Sequence, residues 1–327
     1  MKTVRIFVSG VVIAAITLLL LLGSPAYRCL MSTSLRRPET VIGRLNHTSI
    51  QQTLALSTLP LMAPHRQRIQ ALNEGCRTLK RKDSYTSMNV TDLILDLRWK
   101  DIIVNSKYKI MFCLIPKAGA TNWRRAFLEL AGTLKKGVGI HDQPIKLFRN
   151  CRPNIQKTAL TTYTKIMFVR HPFERLLSAY LDKFIENPEY SFLKRYGKYI
   201  RYSPDGNGSL DGNLSFGKFV NFLLAARPQN RHWDTYFESC DPCRIKYDFI
   251  GKFDTLYPDI DYLSNALHVT FDFAKTARHA TNSSSRIRKF YSLLTREQIL
   301  GLYRMYYDDF MLFGFPYPDL YLNMAVN

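Results

Sequence analysis

Lys117 stands in a short loop of small residues, Pro116-Lys117-Ala118-Gly119-Ala120, between an apolar run and a segment of helical periodicity. An ammonium there, with backbone N–H groups and the positive end of a helix dipole aimed at one spot, suits a phosphate-like anion. The loop is not the nucleotide loop G-x-x-x-x-G-K-[ST], because Lys117 precedes Gly119. Taken alone it reads equally as an ordinary strand-to-helix turn with a solvated lysine. A second cation, Arg170, ends another apolar run, Lys165 to Arg170, and leads into H-P-F-E-R-L-L-S-A-Y. Its planar fork suits a phosphate, and the carboxyl end of a strand is where open α/β sheets hold ligands. Two such cations suggest one ligand with two anionic groups.

The elements that must position them are legible from periodicity. Ile110 to Ile115 has the length and composition of a buried strand, and Thr121 to Ala131 repeats its apolar residues at helical steps. Thr121 is expected to cap that helix with its hydroxyl. Lys165 to Arg170 is a second strand and Phe173 to Ile185 a second helix, with Pro172 well placed as a first helical residue. Further helices are expected at Val90 to Leu97, Ser191 to Ile200, Phe216 to Ala226, Tyr257 to Leu267 and Arg296 to Phe310, and a strand at Phe249-Ile250-Gly251. Strands alternating with helices predict an α/β fold, a parallel sheet flanked by helices.

P-K-A-G-A-T-N-W-R-R followed by F-V-R-H-P-F-E-R-L-L-S-A-Y-x-D-K-F resembles the two nucleotide signatures of Golgi carbohydrate sulfotransferases, in the branch of the chondroitin, dermatan and N-acetylgalactosamine 4-O-sulfotransferases. Further matches are F-x-K-R-Y-G at 192–197, H-W at 232–233, C-x-P-C-x-x-x-Y-D-F-I-G-K at 240–252 and D-F-x-x-F-G at 309–314, so the likeness spans about 107–318. The resemblance implies a P-loop-like sheet and the donor 3′-phosphoadenosine 5′-phosphosulfate. Its first signature (Pro116, Lys117, Ala118, Gly119, Ala120, Thr121, Asn122, Trp123) would hold the 5′-phosphosulfate. Arg170 and Ser178, with Pro172 and Arg175 in the same signature, would hold the 3′-phosphate. Ala120 stands where many members have cysteine, and His171 where an acidic or polar residue is usual.

Sulfuryl transfer needs charge stabilisation on the leaving phosphate and a base for the acceptor hydroxyl. Lys117 is the candidate for the leaving-group side. Of seven histidines, His141 in G-V-G-I-H-D is expected as base from the family position. His232, beside Trp233, is expected to bind the acceptor and is the second choice as base. Glu129 and Glu186 are further options. The run Lys194, Arg195, Lys198 and Arg201 near Tyr196 and Tyr199 is either a solvated helix face or a grip for a polyanionic acceptor.

The 327 residues carry 46 Lys+Arg against 26 Asp+Glu, a charge of +20, which favours an anionic partner without choosing among nucleic acid, acidic membrane and acidic polysaccharide. The resemblance selects a glycan or glycosaminoglycan acceptor and no nucleic acid. Residues 6–22 are uncharged, after Lys2 and Arg5. They are expected to be a transmembrane signal anchor, with a cytoplasmic tail at 1–5, a stem at 23–85 and a lumenal sulfotransferase domain at 86–327. A cleaved signal ending near Ser24-Pro25-Ala26 is the competing reading. The resulting expectation is a single-pass type II protein of the Golgi membrane. Five sequons, Asn46, Asn89, Asn207, Asn213 and Asn282, fit glycosylation in the secretory pathway.

Six cysteines (Cys29, Cys76, Cys113, Cys151, Cys240, Cys243) are expected to form structural disulfides, with Cys113 a buried free thiol. No second C-x-x-C or H-x-x-x-H accompanies Cys240-x-x-Cys243, so no metal is expected. A nucleotide-dependent kinase is disfavoured by the missing nucleotide loop and the lack of an acidic magnesium ligand after a strand. A catalytically inactive lumenal binder of acidic glycans is the alternative from another class.

Overall fold

A computed structural model of the chain describes residues 62–79, 90–97, 100–204, 213–273 and 283–326. The expected tail, the anchor at 6–22, Cys29 and the sequons Asn46, Asn89, Asn207 and Asn282 lie outside the described residues. Among those described, no helix is long and apolar enough to cross a membrane. Asn213 is described and exposed.

The chain runs α1 (Met62–Thr78), α2 (Val90–Leu97), β1 (Ile102–Asn105), β2 (Ile110–Cys113), α3 (Ala120–Leu130), α4 (Pro153–Thr162), β3 (Thr164–Val169) and α5 (Pro172–Tyr180). It continues with α6 (Phe216–Ala226), α7 (Tyr236–Cys240), β4 (Phe249–Lys252), α8 (Leu256–Leu267), α9 (Ser283–Tyr291), α10 (Arg296–Met305) and α11 (Tyr307–Phe313). The sheet order is β1-β2-β3-β4. β2, β3 and β4 are parallel, and β1 adds an antiparallel edge. This edge departs from the all-parallel expectation. Its apolar core, Ile102-Ile103-Val104, is too short to signal a strand, and the hairpin is set by Asn105, whose Oδ1 accepts from the Lys107 and Tyr108 N–H groups. The polar helix α4 also escaped periodicity, since it buries only Gln156 and Ala159.

β2 and β3 are buried at every position, as strands covered on both faces must be. Met111, Cys113, Met167 and Val169 face α1, α4, α7 and α11, while Phe112, Ile166 and Phe168 face α3 and α8. A separate aromatic core joins α5, α6, α9 and α10 around Trp233.

Among the described residues, two disulfides staple this body. Cys113 pairs with Cys240, and Cys76 with Cys243. Cys113 is therefore not the free thiol expected from its place in a strand, and the C-x-x-C residues bond to different elements rather than to each other. The buried Cys151 thiol donates to the Leu147 carbonyl. Because Cys76 is on α1, and α1 packs on β4 and α11, this part of the expected stem is built into the body. Asp309 completes the corner: its carboxylate accepts the Tyr236 and Phe237 N–H groups at the start of α7.

Three expected helices are broken, the one at Ser191 to Ile200 by a π-type turn over Leu193–Gly197. α5 ends at Tyr180 and continues to Glu186 in a wider, π-type turn, and the last helix divides at Tyr306, whose hydroxyl donates to the Trp233 carbonyl at 2.7 Å.

Candidate active site

The β2–α3 junction bends through two left-handed residues, Lys117 (φ 67°) and Gly119 (φ 85°). Gly119 tolerates that backbone, whereas Lys117 holds it at a cost of order 1 kcal/mol. Gly119 is the N-cap of α3 and no side chain caps the helix. Thr121 is not the cap expected, because α3 begins one residue earlier and carries Thr121 inside its first turn. The first-turn N–H groups have no acceptor within the helix, and the residues that carry them, Ala120, Thr121 and Asn122, line the cavity at this junction.

The β3–α5 junction has no loop. Arg170 follows the strand directly, His171 caps α5 by accepting the Phe173 N–H on Nδ1, and Pro172 opens the helix. Burial, with Arg170 and Lys252 nearby, lowers the His171 pKa to about 4.

Both junctions open into one cavity of about 1350 Å³. Of the expected donor-site residues, Pro116, Lys117, Gly119, Ala120, Thr121, Asn122, Arg170 and Ser178 line it, as do His141 and His232. The two cations are neighbours: an Arg170 N–H reaches the Lys117 carbonyl at 3.5 Å. Each has a carboxylate companion. Lys117 Nζ lies 3.0 Å from Asp182, and Arg170 Nε 3.3 Å from Glu174. Burial lowers the Lys117 pKa and Asp182 opposes that shift; burial likewise raises that of Glu174. Arg170 also lies over the Phe253 ring, 4.7 Å from its centroid.

Four of the expected donor residues do not present side chains to the cavity. Ala118 and Pro172 are buried. Trp123 packs among Phe112, Phe168, Phe271 and Phe273 and supports the Gly119 loop from behind. Arg175 is 1% exposed and donates to the Pro116, Arg231 and Asp234 carbonyls. It ties the first loop to the segment carrying His232, so its charge is spent inside the fold.

His141 is exposed at the rim, with Nε2 3.1 Å from Thr121 Oγ1. Partial burial of the ring, then Arg124, Arg231 and Lys183, lower its pKa. Arg124 holds this loop through the Ile140 and Gln143 carbonyls. His232 is buried beside Phe192. Burial, then Lys183, Arg231, Arg175 and Lys117, lower its pKa to about 3. Glu129 lies away from the cavity, and Glu186 lines it but is paired with Arg286. Of the basic run, Arg195 reaches the rim; Lys194, Lys198 and Arg201 are exposed. Sequence reasoning gave no role to Asp182, Lys183, Arg124 or Asn230. The D-K-F that follows α5's signature was the one signal for the first two.

Two parallel strands lead to neighbouring cations beside one cavity, an arrangement whose charge suits a doubly anionic ligand. Residues 100–316 match the model described as "Sulfotransferase family", and the chain belongs to that family. It is 34% identical to mouse (Mus musculus) carbohydrate sulfotransferase 8 over 67% of this chain and 58% of that protein. It is 35% identical to Xenopus laevis carbohydrate sulfotransferase 12 over 67% of this chain and 60% of that protein. With Gallus gallus carbohydrate sulfotransferase 10 it shares 31% identity over 79% of this chain and 77% of that protein. The chain thus spans about three-fifths of the length of the first two relatives. No solved structure matches it. Among the described residues, no group of three side chains could hold a metal ion.

Proposed function

We propose that this chain is a carbohydrate sulfotransferase. It moves a sulfuryl group from 3′-phosphoadenosine 5′-phosphosulfate to a sugar hydroxyl, with the 4-position of N-acetylgalactosamine in chondroitin, dermatan or N-glycan termini as the expected site. The observation that carries the reading is the meeting of Lys117 and Arg170 in one cavity, in a chain whose relatives are named carbohydrate sulfotransferases. The first-turn N–H groups of α3 and Lys117 would hold the 5′-phosphosulfate, and Arg170 and Ser178 the 3′-phosphate. Asp182 and Glu174 occupy anion positions on those cations, and their pairs loosen when phosphate oxygens compete for them.

In the transfer, the acceptor oxygen bonds to sulfur as the bond from sulfur to the phosphate oxygen breaks. The Lys117 ammonium stabilises the charge arriving on that phosphate. His141 takes the hydroxyl proton. Burial and nearby cations lower both rings, but an efficient base has a pKa near the working pH, and the more deeply buried His232, lowered to about 3, is far from it. His232 is then a neutral acceptor-binding residue. The anchor expected at 6–22 supports membrane attachment with the body in the lumen, and the family resemblance supports the Golgi as compartment and a glycan as partner.

Labelled sulfate transfer from the donor onto a panel of desulfated chondroitin, desulfated dermatan and N-acetylgalactosamine-capped glycans tests this. Transfer to one of them, lost in His141→Ala with donor affinity retained, is expected. Glycan binding without any transfer would overturn it.

A further inference from the structure

Asn230 lies two residues before His232 and holds it twice. Its Oδ1 accepts the His232 backbone N–H at 3.0 Å and lies 2.8 Å from His232 Nδ1. A backbone N–H can only donate, so this amide atom is the oxygen. An amide oxygen can only accept, so Nδ1 must carry the ring proton. The other end agrees, since Asn230 Nδ2 donates to the Tyr196 hydroxyl at 3.1 Å. In the neutral ring the other nitrogen, Nε2, then keeps its lone pair, and His232 lines the cavity.

The turn that carries this pair is fixed on all sides. Asn230 N–H donates to Asp234 at 2.7 Å, Trp233 Nε1 to the Pro228 carbonyl, and Arg175 to the Arg231 and Asp234 carbonyls. Such rigidity around a solvent-lined cavity is unnecessary for a surface loop and is what a hydrogen-bonding group of fixed direction requires.

We propose that Asn230 is a positioning residue that locks His232 as the Nδ1–H tautomer, so that Nε2 accepts a hydrogen bond from a free hydroxyl of the acceptor sugar. This rests on the sugar-acceptor reading above and adds a specificity. A lone pair at that point rejects a sulfate or carboxylate in place of the hydroxyl, because acceptor would face acceptor. The groups around the ring explain why it stays neutral: Lys183, Arg231, Arg175 and Lys117 are cationic, and Glu189, the nearby carboxylate, is tied to Lys183 at 2.7 Å.

The test uses the full chain with desulfated chondroitin as acceptor and adenosine 3′,5′-bisphosphate as donor-site probe. Nitrogen-15 NMR of the His232 ring should show protonated Nδ1 and bare Nε2; a protonated Nε2 in the wild type overturns the proposal whether or not sulfate transfer is found. Asn230→Ala should raise the acceptor KM about tenfold, the worth of one hydrogen bond, and leave the bisphosphate Kd unchanged. Asn230→Asp separates positioning from mere folding. Its carboxylate keeps the Nδ1–H contact but raises the ring pKa. Acceptor KM should then climb as pH falls from about 8 to about 5.5, while the wild type stays flat across that range. An unchanged KM in Asn230→Ala, or a flat profile in Asn230→Asp, overturns it. If Asn230→Ala does not fold, the Asn230→Asp profile decides alone. Wild-type failure to move sulfate to any acceptor would sink the functional reading, and the ring measurement would still stand.

Discussion

Arg170 and Arg175 are five residues apart in one signature, and their sequence context gives them the same promise. The structure puts them to opposite uses. Arg170 lies at the end of β3 over Phe253, with one carboxylate partner and the cavity before it. Arg175, inside α5, is buried outside the cavity lining and satisfies three backbone carbonyls. The first is a cation available to a ligand. The second is a cross-link between the Lys117 loop and the Asn230–Asp234 turn. The two junctions differ as well: the β2–α3 loop brings one lysine and the first turn of α3 to the cavity, while the β3–α5 junction brings Arg170, Glu174 and Ser178.

Lys117 should show the largest effect. Lys117→Ala is expected to cut kcat by about a thousandfold or more, with Tm little changed because alanine bears the same left-handed strain at φ 67°. Because burial lowers the Lys117 pKa, the charged form is lost at lower pH than for an ordinary lysine. The alkaline limb of the wild-type kcat profile should therefore fall below pH 10.5, the usual value. A limb at or above that value would mean that Lys117 is not the titrating group.

The arginine pair sharpens the contrast. Arg175→Gln should cost about 3 kcal/mol or more of stability, since it strands buried carbonyls. Arg170→Gln should shift Tm little but raise the donor Kd on the order of a hundredfold, the loss of a charge-assisted contact. Chemical unfolding and calorimetric titration with adenosine 3′,5′-bisphosphate report the two quantities separately. Equal effects from both variants would mean that the two arginines do not divide between ligand and fold.

Gly119→Ala comes next. Its added Cβ would sit 3.6 Å from Trp123, ordinary contact, so the penalty comes from φ +85° and not from crowding. About 1–2 kcal/mol of stability and a several-fold weaker donor site are expected. Ser178→Ala is the smallest: about 1 kcal/mol or less in donor binding and no change in acceptor KM.

Much of this site was legible beforehand because it sits at strand–helix boundaries. Ile110 to Ile115 and Lys165 to Arg170 announce buried strands, the residues that follow announce helices, and a cation at each boundary can only sit near the sheet's carboxyl edge. What resisted reading is whatever depends on partners distant in sequence. Thr121 looked like a cap because the left-handed turn at Gly119 has no sequence signature distinct from any glycine. Cys113 looked like a free thiol because its partner, Cys240, is 127 residues away. Asn230 carried no signal, since its role is only a contact to Tyr196 and His232.

Residue order by itself determined the alternation of strands and helices, the two cation-bearing junctions and the family likeness, because periodicity and short-range spacing are local properties of a chain. Which cation opens to the cavity, which is sealed inside, which nitrogen of a histidine keeps its lone pair and which cysteines join were decided only in three dimensions. Burial, hydrogen bonding and proximity are properties of pairs of groups, and folding alone brings those pairs together.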